Sequence, residues 1–376
     1  MLRQEPYRLF FPLGLLLAWA GVLHWLLHAL GVLADYRPIF HAITQMQGFL
    51  ACFAIGFLFT ALPRRTQSAP PAAWQMLVGA VLPVGTVLAA WEQRWAVAQT
   101  CWVVLLLMLA GFVVPRLTSR RAGCRPPASF VWIPVALAFG LTGSLMTGAL
   151  ALGDDYRWLH DLGQRVALQG TFLALIVGLG GMVLPLLTRG ESVPDVPAAG
   201  TRVGLELAAA AALTASFWIE MFVSLPGAYW LRGAVVLAVL LFSSRLWRPP
   251  SVPGWHRRLV WLSAWMIPLG YFIAALYPTH KKAGLHVTFI AGFALLALAV
   301  GLHITLAHGG YPELVRGRPW QVPLFGGLLL VAAAGRVLVD FDQVRFFRWI
   351  GVSAAAFLAA TFFWALLVLP RVPRRR

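Results

Sequence analysis

The sequence predicts an all-α integral membrane protein, a polytopic transmembrane helical bundle of about twelve helices in a single domain covering residues 1–376. Of these residues, 60% are hydrophobic and only 11% are charged, whereas about 25% of the residues in a soluble domain are charged. The apolar residues form runs of about 20, the length that crosses the hydrocarbon of a bilayer. These observations exclude a cytosolic enzyme and a DNA-binding factor, although the formal net charge is +17.

Short polar connections divide the chain into twelve apolar segments, each predicted to be one helix. In chain order these segments cover residues 9–33, 38–62, 72–90, 95–115, 129–152, 160–187, 202–223, 228–247, 256–277, 283–308, 321–340 and 344–369. The first segment is too long for the 7–15-residue core of a cleaved signal peptide, so we expect it to be a membrane helix. No connection is long enough to hold a soluble domain.

The basic residues predict the orientation of these helices. About two-thirds of the 30 lysines and arginines lie at the two termini and in the connections after even-numbered segments. Cytoplasmic loops carry an excess of such residues, so both termini are predicted to be cytoplasmic. Basic residues at helix ends also contact anionic lipid, and we therefore expect membrane lipid, with no nucleic acid, as the partner of this charge.

Glycines in the sixth segment suggest an alternative function. Gly178, Gly180 and Gly181 precede Pro185, and a helix broken at such a point can line a transport site. A secondary transporter with its site at the broken helix 178–185 is therefore the alternative hypothesis. Close helix packing through small residues explains the same pattern.

Charged residues inside the predicted helices are expected to pair locally. Ion pairs one helical turn apart can form between Arg336 and Asp340, between Asp161 and Arg165, and between Arg202 and Glu206. Glu220 has no such neighbour in the sequence.

The nine histidines are more informative, because polar groups inside a membrane are costly and often functional. Six of them fall in or near the predicted outer leaflet: His24, His28, His41, His160, His280 and His286. Imidazole is the commonest metal ligand and also binds haem iron. His24 and His28 lie one turn apart and could hold one ion. His286 and His303 are about 25 Å apart along one helix, so they cannot share a metal.

Two blocks of the sequence resemble the NnrS family. Residues 40–49 (FHAITQMQGF), followed by 56–63 (GFLFTALP), resemble the signature of its second helix. Residues 306–310 (LAHGG), with the histidines upstream of them, resemble its late histidine block. The resemblance implies a bacterial inner-membrane protein that binds haem and, as a second metal, copper. It also implies a role in nitric oxide metabolism or nitrosative stress resistance, with nitric oxide or another diatomic gas as ligand and a redox partner that is not defined.

The resemblance also implies which residues bind the cofactor. By position, the histidines that match family histidines are His41, His286 and His308. The chain departs from the family pattern where Ile43 replaces a histidine and Gln45 replaces a methionine. The expected substitutes, as ligands of a second metal, are His24, His28, Met46 and His303. The thioether of Met46 would suit copper(I). A role in assembly or sensing, without turnover, is a third hypothesis.

Overall fold

The computed structural model describes residues 2–118, 126–192 and 199–372. Within these ranges the chain is helical without strands, and twelve helices are long and apolar enough to cross a membrane. They are α1 (Tyr7–Ala29), α2 (Pro38–Thr66), α3 (Ala73–Trp91), α4 (Trp95–Leu117), α5 (Ala128–Thr147), α6 (Asp154–Arg189), α7 (Gly200–Phe222), α8 (Leu225–Ser244), α9 (Trp255–Leu276), α10 (Pro278–Gly309), α11 (Gln321–Phe341) and α12 (Gln343–Arg371). The predicted all-α polytopic bundle is confirmed.

Several helix ends differ from the predicted segments, including the end of α1 and the start of α6. Helix α1 ends at Ala29 instead of residue 33, because Gly31 adopts a φ of +72° just after it. Glycine in this left-handed conformation commonly terminates helices. Helix α6 begins at Asp154, six residues earlier than predicted, and its first turn is a 3₁₀ helix. Hydropathy locates a membrane helix, whereas backbone conformation determines where the helix ends.

Three of the helices contain a π-helical segment at a corresponding position. These segments are Thr44–Leu50 in α2, Val166–Gly170 in α6 and Val287–Ala294 in α10. They begin at residues 44, 166 and 287, so they recur every 121 or 122 residues. The bundle is therefore built from three units of four helices, α1–α4, α5–α8 and α9–α12.

The helices with π segments form the centre of the bundle. In the most apolar part of α2, α6 and α10, 83%, 78% and 72% of the residues are buried, compared with at most 56% in any other membrane helix among the described residues. The last helix of each unit packs on the first helix of another, α4 on α5, α8 on α9 and α12 on α1. The three units thus close into a ring around the central helices.

A glycine in the first helix of each unit permits close packing against the π segment of the second helix. A Cβ atom at these glycines would lie 2.9 Å from Cγ2 of Thr44 (Gly21), 2.5 Å from the main-chain nitrogen of Ala167 (Gly143) and 2.3 Å from Oγ1 of Thr288 (Gly270). These distances are too short for any side chain. Small residues at helix interfaces let backbones approach in this way, and here they hold the π segments in place.

Candidate cofactor cavity

A cavity of about 430 Å³ lies where the three π segments converge, in the half of the bundle opposite the termini. Cofactor and ligand sites in proteins usually have volumes of about 300–1,000 Å³. Helices α1, α2, α6, α10, α11 and α12 contribute to its wall. Much of that wall is apolar and includes Phe49, Leu168, Leu285, Phe289, Ile350 and Phe357. We call it the histidine cavity, because the side chains of His41 and His286 line it.

Both histidines of this cavity are oriented by main-chain carbonyl groups. The Nδ1 atom of His41 lies 2.8 Å from the carbonyl oxygen of Gly21 in α1, and Nδ1 of His286 lies 2.7 Å from that of Lys282. Because a carbonyl oxygen can only accept a hydrogen bond, Nδ1 carries the proton in each ring. The Nε2 atom of each neutral ring therefore keeps its lone pair. Metal-binding histidines are typically oriented by a hydrogen bond of this kind.

The wall of the histidine cavity includes cationic side chains. Arg165, Lys282 and Arg336 contribute to its wall, and Nη2 of Arg336 donates a hydrogen bond of 3.2 Å to Nε2 of His286. The predicted ion pair between Arg336 and Asp340 does not form as a direct contact among the described side chains, although Asp340 still interacts electrostatically with Arg336. A guanidinium group at a cavity wall, bonded to a neutral ring, is available to an anionic ligand.

A buried ion network lies within the second unit and joins α6, α7 and α8. Glu220 accepts hydrogen bonds from Nε of Arg165 and Nη2 of Arg232, both at 2.9 Å, and from the hydroxyl of Tyr229 at 3.0 Å. The Arg232 side chain is fully buried, and its Nη1 donates to Gln169 at 3.1 Å. Arg165 thus pairs with Glu220 in another helix, and the expected pairing with Asp161 is wrong.

The third expected local pair also does not form. Glu206 accepts hydrogen bonds from Nε1 of Trp132 at 2.7 Å and from the hydroxyl of Ser243 at 2.6 Å, while Arg202 is exposed. A buried carboxylate is costly unless hydrogen bonds satisfy it. The hydrogen-bond partners of Glu206 therefore come from the neighbouring helices α5 and α8, and not from its own helix as predicted.

The polar contacts differ among the three units. The histidine cavity lies between the third and first units, whereas the ion network of Glu220 and Arg232 lies within the second unit. Within the first unit, Gln47 and Gln99 exchange hydrogen bonds of 3.2 and 3.3 Å, and the ring of Trp102 stacks on Phe172 of the second unit. Of these three places, the first is the one where imidazoles surround a cavity.

His24 and His28 lie beside this cavity. The ring of His24 is buried between Trp25 and Phe40, with its centroid 6.1 Å from that of His41. His28 donates from Nδ1 to the carbonyl oxygen of Leu33 at 2.9 Å and contacts other aromatic rings. Met46 lines the histidine cavity itself. Among the described residues, no group of three or more His, Cys, Asp or Glu side chains is arranged to hold a metal ion.

His303 and His308 lie far from the cavity, in the half of the bundle that holds the termini. Nδ1 of His303 is 3.0 Å from Nε2 of His256, which makes a hydrogen-bonded imidazole pair. His308 accepts a hydrogen bond of 2.7 Å from Arg64. Of the three expected cofactor ligands, the structure brings His41 and His286 to one cavity and places His308 elsewhere.

The predicted break in the sixth helix is wrong. From Thr171 to Arg189 the helix is continuous and passes through Pro185. A Cβ atom on Gly178 would lie only 2.6 Å from Cβ of Trp132 in α5, so this glycine permits close helix packing. The structural basis of the transporter hypothesis is therefore absent from this helix.

Several features of the cavity are not predicted from the sequence. The sequence places Arg336 in a local ion pair and, apart from Met46, assigns no role to the residues of the three π segments. A π segment is an adjustment of the backbone that often occurs at functional sites, and few side chains signal it. A repeat of 121 or 122 residues along the chain is the pattern from which these corresponding segments could be predicted.

Comparison with known protein families was informative over the full length of the chain. Residues 1–376 match the family model described as NnrS protein. None of the curated proteins matches the chain. The family match covers all three four-helix units and therefore includes both the histidine cavity and the ion network.

Proposed function

Because the chain belongs to the NnrS family, we propose that it is a haem-binding membrane protein whose haem lies in the histidine cavity. One observation carries the proposal: two helices, α2 and α10, bring His41 and His286 to the same cavity with their Nε2 lone pairs free of protons. Imidazole nitrogens are common axial ligands of haem iron.

The rest of the cavity fits the chemistry of haem. Its aromatic and aliphatic wall suits the apolar macrocycle, and the cationic side chains of Lys282 and Arg336 suit the two carboxylates, whereas Arg165 is paired with Glu220. Arg336 donates to His286 Nε2; it would release that nitrogen to iron and bind a carboxylate instead. His41 would keep its hydrogen bond to Gly21, which holds the ring in one orientation.

The proposed physiological role is in nitric oxide metabolism or nitrosative stress resistance, in a bacterial inner membrane with both termini cytoplasmic. When bound, haem would provide the iron atom to which a diatomic gas binds. Such a gas is neutral and dissolves in the bilayer, so it can approach the histidine cavity between helices without a polar channel. The twelve apolar helices support the membrane location, and the distribution of basic residues supports the orientation.

Copper fits the described residues less well than haem. Met46 offers a soft ligand on the cavity wall, but His24 is packed among aromatic rings and His28 is bonded to a carbonyl group. No group of three candidate ligands is present among the described side chains. The proposal is therefore confined to haem.

Absorption spectroscopy of the purified full-length protein tests the proposal. Protein from haem-replete cells should show a Soret band that shifts with nitric oxide and is lost in His41→Ala and in His286→Ala. The matched controls His303→Ala and His308→Ala should keep the band, because these rings lie in the other half of the bundle. A colourless wild-type protein, or a band that survives loss of both cavity histidines, would contradict the proposal.

A further inference from the structure

A second cavity, of about 100 Å³, lies on the axis of the bundle. The three central helices α2, α6 and α10 form its wall, together with Phe11 of α1, and it lies closer to the termini than the histidine cavity. All 17 of its lining residues are aliphatic, aromatic or glycine. We call it the axial cavity.

The chemistry of the axial cavity limits what it can hold. A buried water needs two to four polar partners, and apolar cavities without them stay dry. The volume is well below the roughly 300 Å³ at which sites for drug-sized ligands begin. An engineered apolar cavity of about 150 Å³ in another protein binds benzene or xenon. The axial cavity therefore suits one or two small apolar molecules.

The axial cavity adjoins the histidine cavity. The side chain of Leu50, at the end of the first π segment, lines both of them. Phe49 lines the histidine cavity, and its ring lies 5.1 Å from that of Phe53, which lines the axial cavity. One layer of side chains from α2 thus separates the two spaces.

We propose that the axial cavity binds neutral apolar small molecules, with diatomic gases as the physiological class, and passes them to the histidine cavity beside Leu50. Its occupancy requires no haem and goes beyond the proposed function. The transfer step rests on the proposed function, since it supplies a gas ligand to the site of His41 and His286.

Xenon is the probe for occupancy, because it is apolar and visible by anomalous scattering. Crystals of the full-length protein pressurised with xenon should show a site among Phe53, Phe172 and Phe293. The site should be lost in the Ala54→Leu, Ala297→Leu double variant, which fills the axial cavity from two sides. The matched control is Ala355→Leu on the exposed face of α12, which should retain the site.

Each outcome of the xenon experiment decides the first part of the inference. No xenon site in the wild type, an acyl or detergent chain in its place, or a site that persists in the filled variant would overturn it. The wild-type result is decisive even if the filled variant does not fold. A xenon site in colourless protein would support the axial cavity while contradicting the haem proposal.

The transfer step has its own measurement in haem-loaded protein. Carbon monoxide released by a light pulse should rebind with a smaller fast phase in the filled variant, because the gas loses its nearby reservoir. Ala355→Leu should rebind as the wild type does, and the Soret band should be equal in all three proteins. Unchanged rebinding in the filled variant would refute the transfer step and leave occupancy to the xenon result.

Discussion

Hydrogen bonds to main-chain carbonyls give the two cavity histidines a fixed chemical role. Gly21 accepts from His41 across two helices, whereas Lys282 accepts from His286 within one helix. In both cases the bond assigns the proton to Nδ1 and leaves the lone pair on Nε2, which in His286 accepts a hydrogen bond from Arg336. A carbonyl partner orients a ring without adding charge, which suits a site inside a membrane.

Replacement of Arg336 should weaken haem binding without abolishing it. In Arg336→Ala we expect haem to be retained about 10- to 100-fold less tightly, because a charge-assisted hydrogen bond contributes about 1.5–3 kcal/mol. Transfer of haem to an excess of apomyoglobin measures this loss. Arg348→Ala removes an exposed cation from the same side of the bundle and should have no effect. Equal haem loss in the two variants would exclude a role for Arg336.

Residues of the three π segments form part of the wall of the histidine cavity. They line the histidine cavity from three directions, with Gln45, Met46 and Phe49 from α2, Leu168 and Gln169 from α6, and Phe289, Ile290 and Ala294 from α10. The glycines of α1, α5 and α9 bring these segments close to their neighbours. The cavity is therefore a product of helix geometry as much as of side-chain choice.

A single methyl group at one of these close contacts should be destabilising. In Gly270→Ala the new Cβ would lie 2.5 Å from the carbonyl oxygen of Gly284, and overpacking of this kind costs about 1–3 kcal/mol. Gly327→Ala is the matched control, because a Cβ there meets nothing within 4 Å. Thermal unfolding in detergent should show a lower midpoint for Gly270→Ala only. Equal midpoints in both variants would contradict the close contact.

At the level of the whole bundle, the three units differ in their polar contacts. A cavity with imidazoles lies between the third and first units, a buried ion network lies within the second unit, and a glutamine pair lies within the first unit beside rings stacked on the second. Burying Arg232 and Glu220 is costly unless each is paired. The network therefore holds α6, α7 and α8 of the second unit together.

Loss of one partner of this network should destabilise the bundle. In Arg232→Met, we expect the free energy of unfolding to fall by about 1.5–3 kcal/mol, because the Glu220 carboxylate loses one charge-assisted hydrogen bond and keeps those from Arg165 and Tyr229. Arg157→Met breaks an exposed ion pair with Asp154 and should change it by at most about 1 kcal/mol. Denaturant titration in detergent compares the two variants. A similar small effect in both would show that the network does not stabilise the bundle.

The candidate site was only partly predictable from the sequence. His41 and His286 stood in blocks that resemble family motifs, and both line the cavity. His308 came from the same resemblance and lies against Arg64 in the other half of the bundle. The predictions of local ion pairs were wrong because the helices pack so that Arg165 contacts Glu220 of another helix instead of a residue one turn away. Spacing along a helix predicts contacts within that helix. Contacts between helices depend on how deep each residue lies in the bundle and on which way its helix face is turned.

Hydropathy along the chain is sufficient to determine the class of this protein, its twelve helices and their order, because each membrane helix must bury its own main-chain polar groups and present apolar side chains to lipid. Which polar side chains contact one another depends on how the helices pack in the tertiary structure. The π segments, the glycine contacts between α1 and α2, α5 and α6, and α9 and α10, and the closure of three units into a ring together place His41 and His286 around one cavity. These features depend on contacts between distant parts of the chain, so they cannot be predicted from hydropathy or from local spacing.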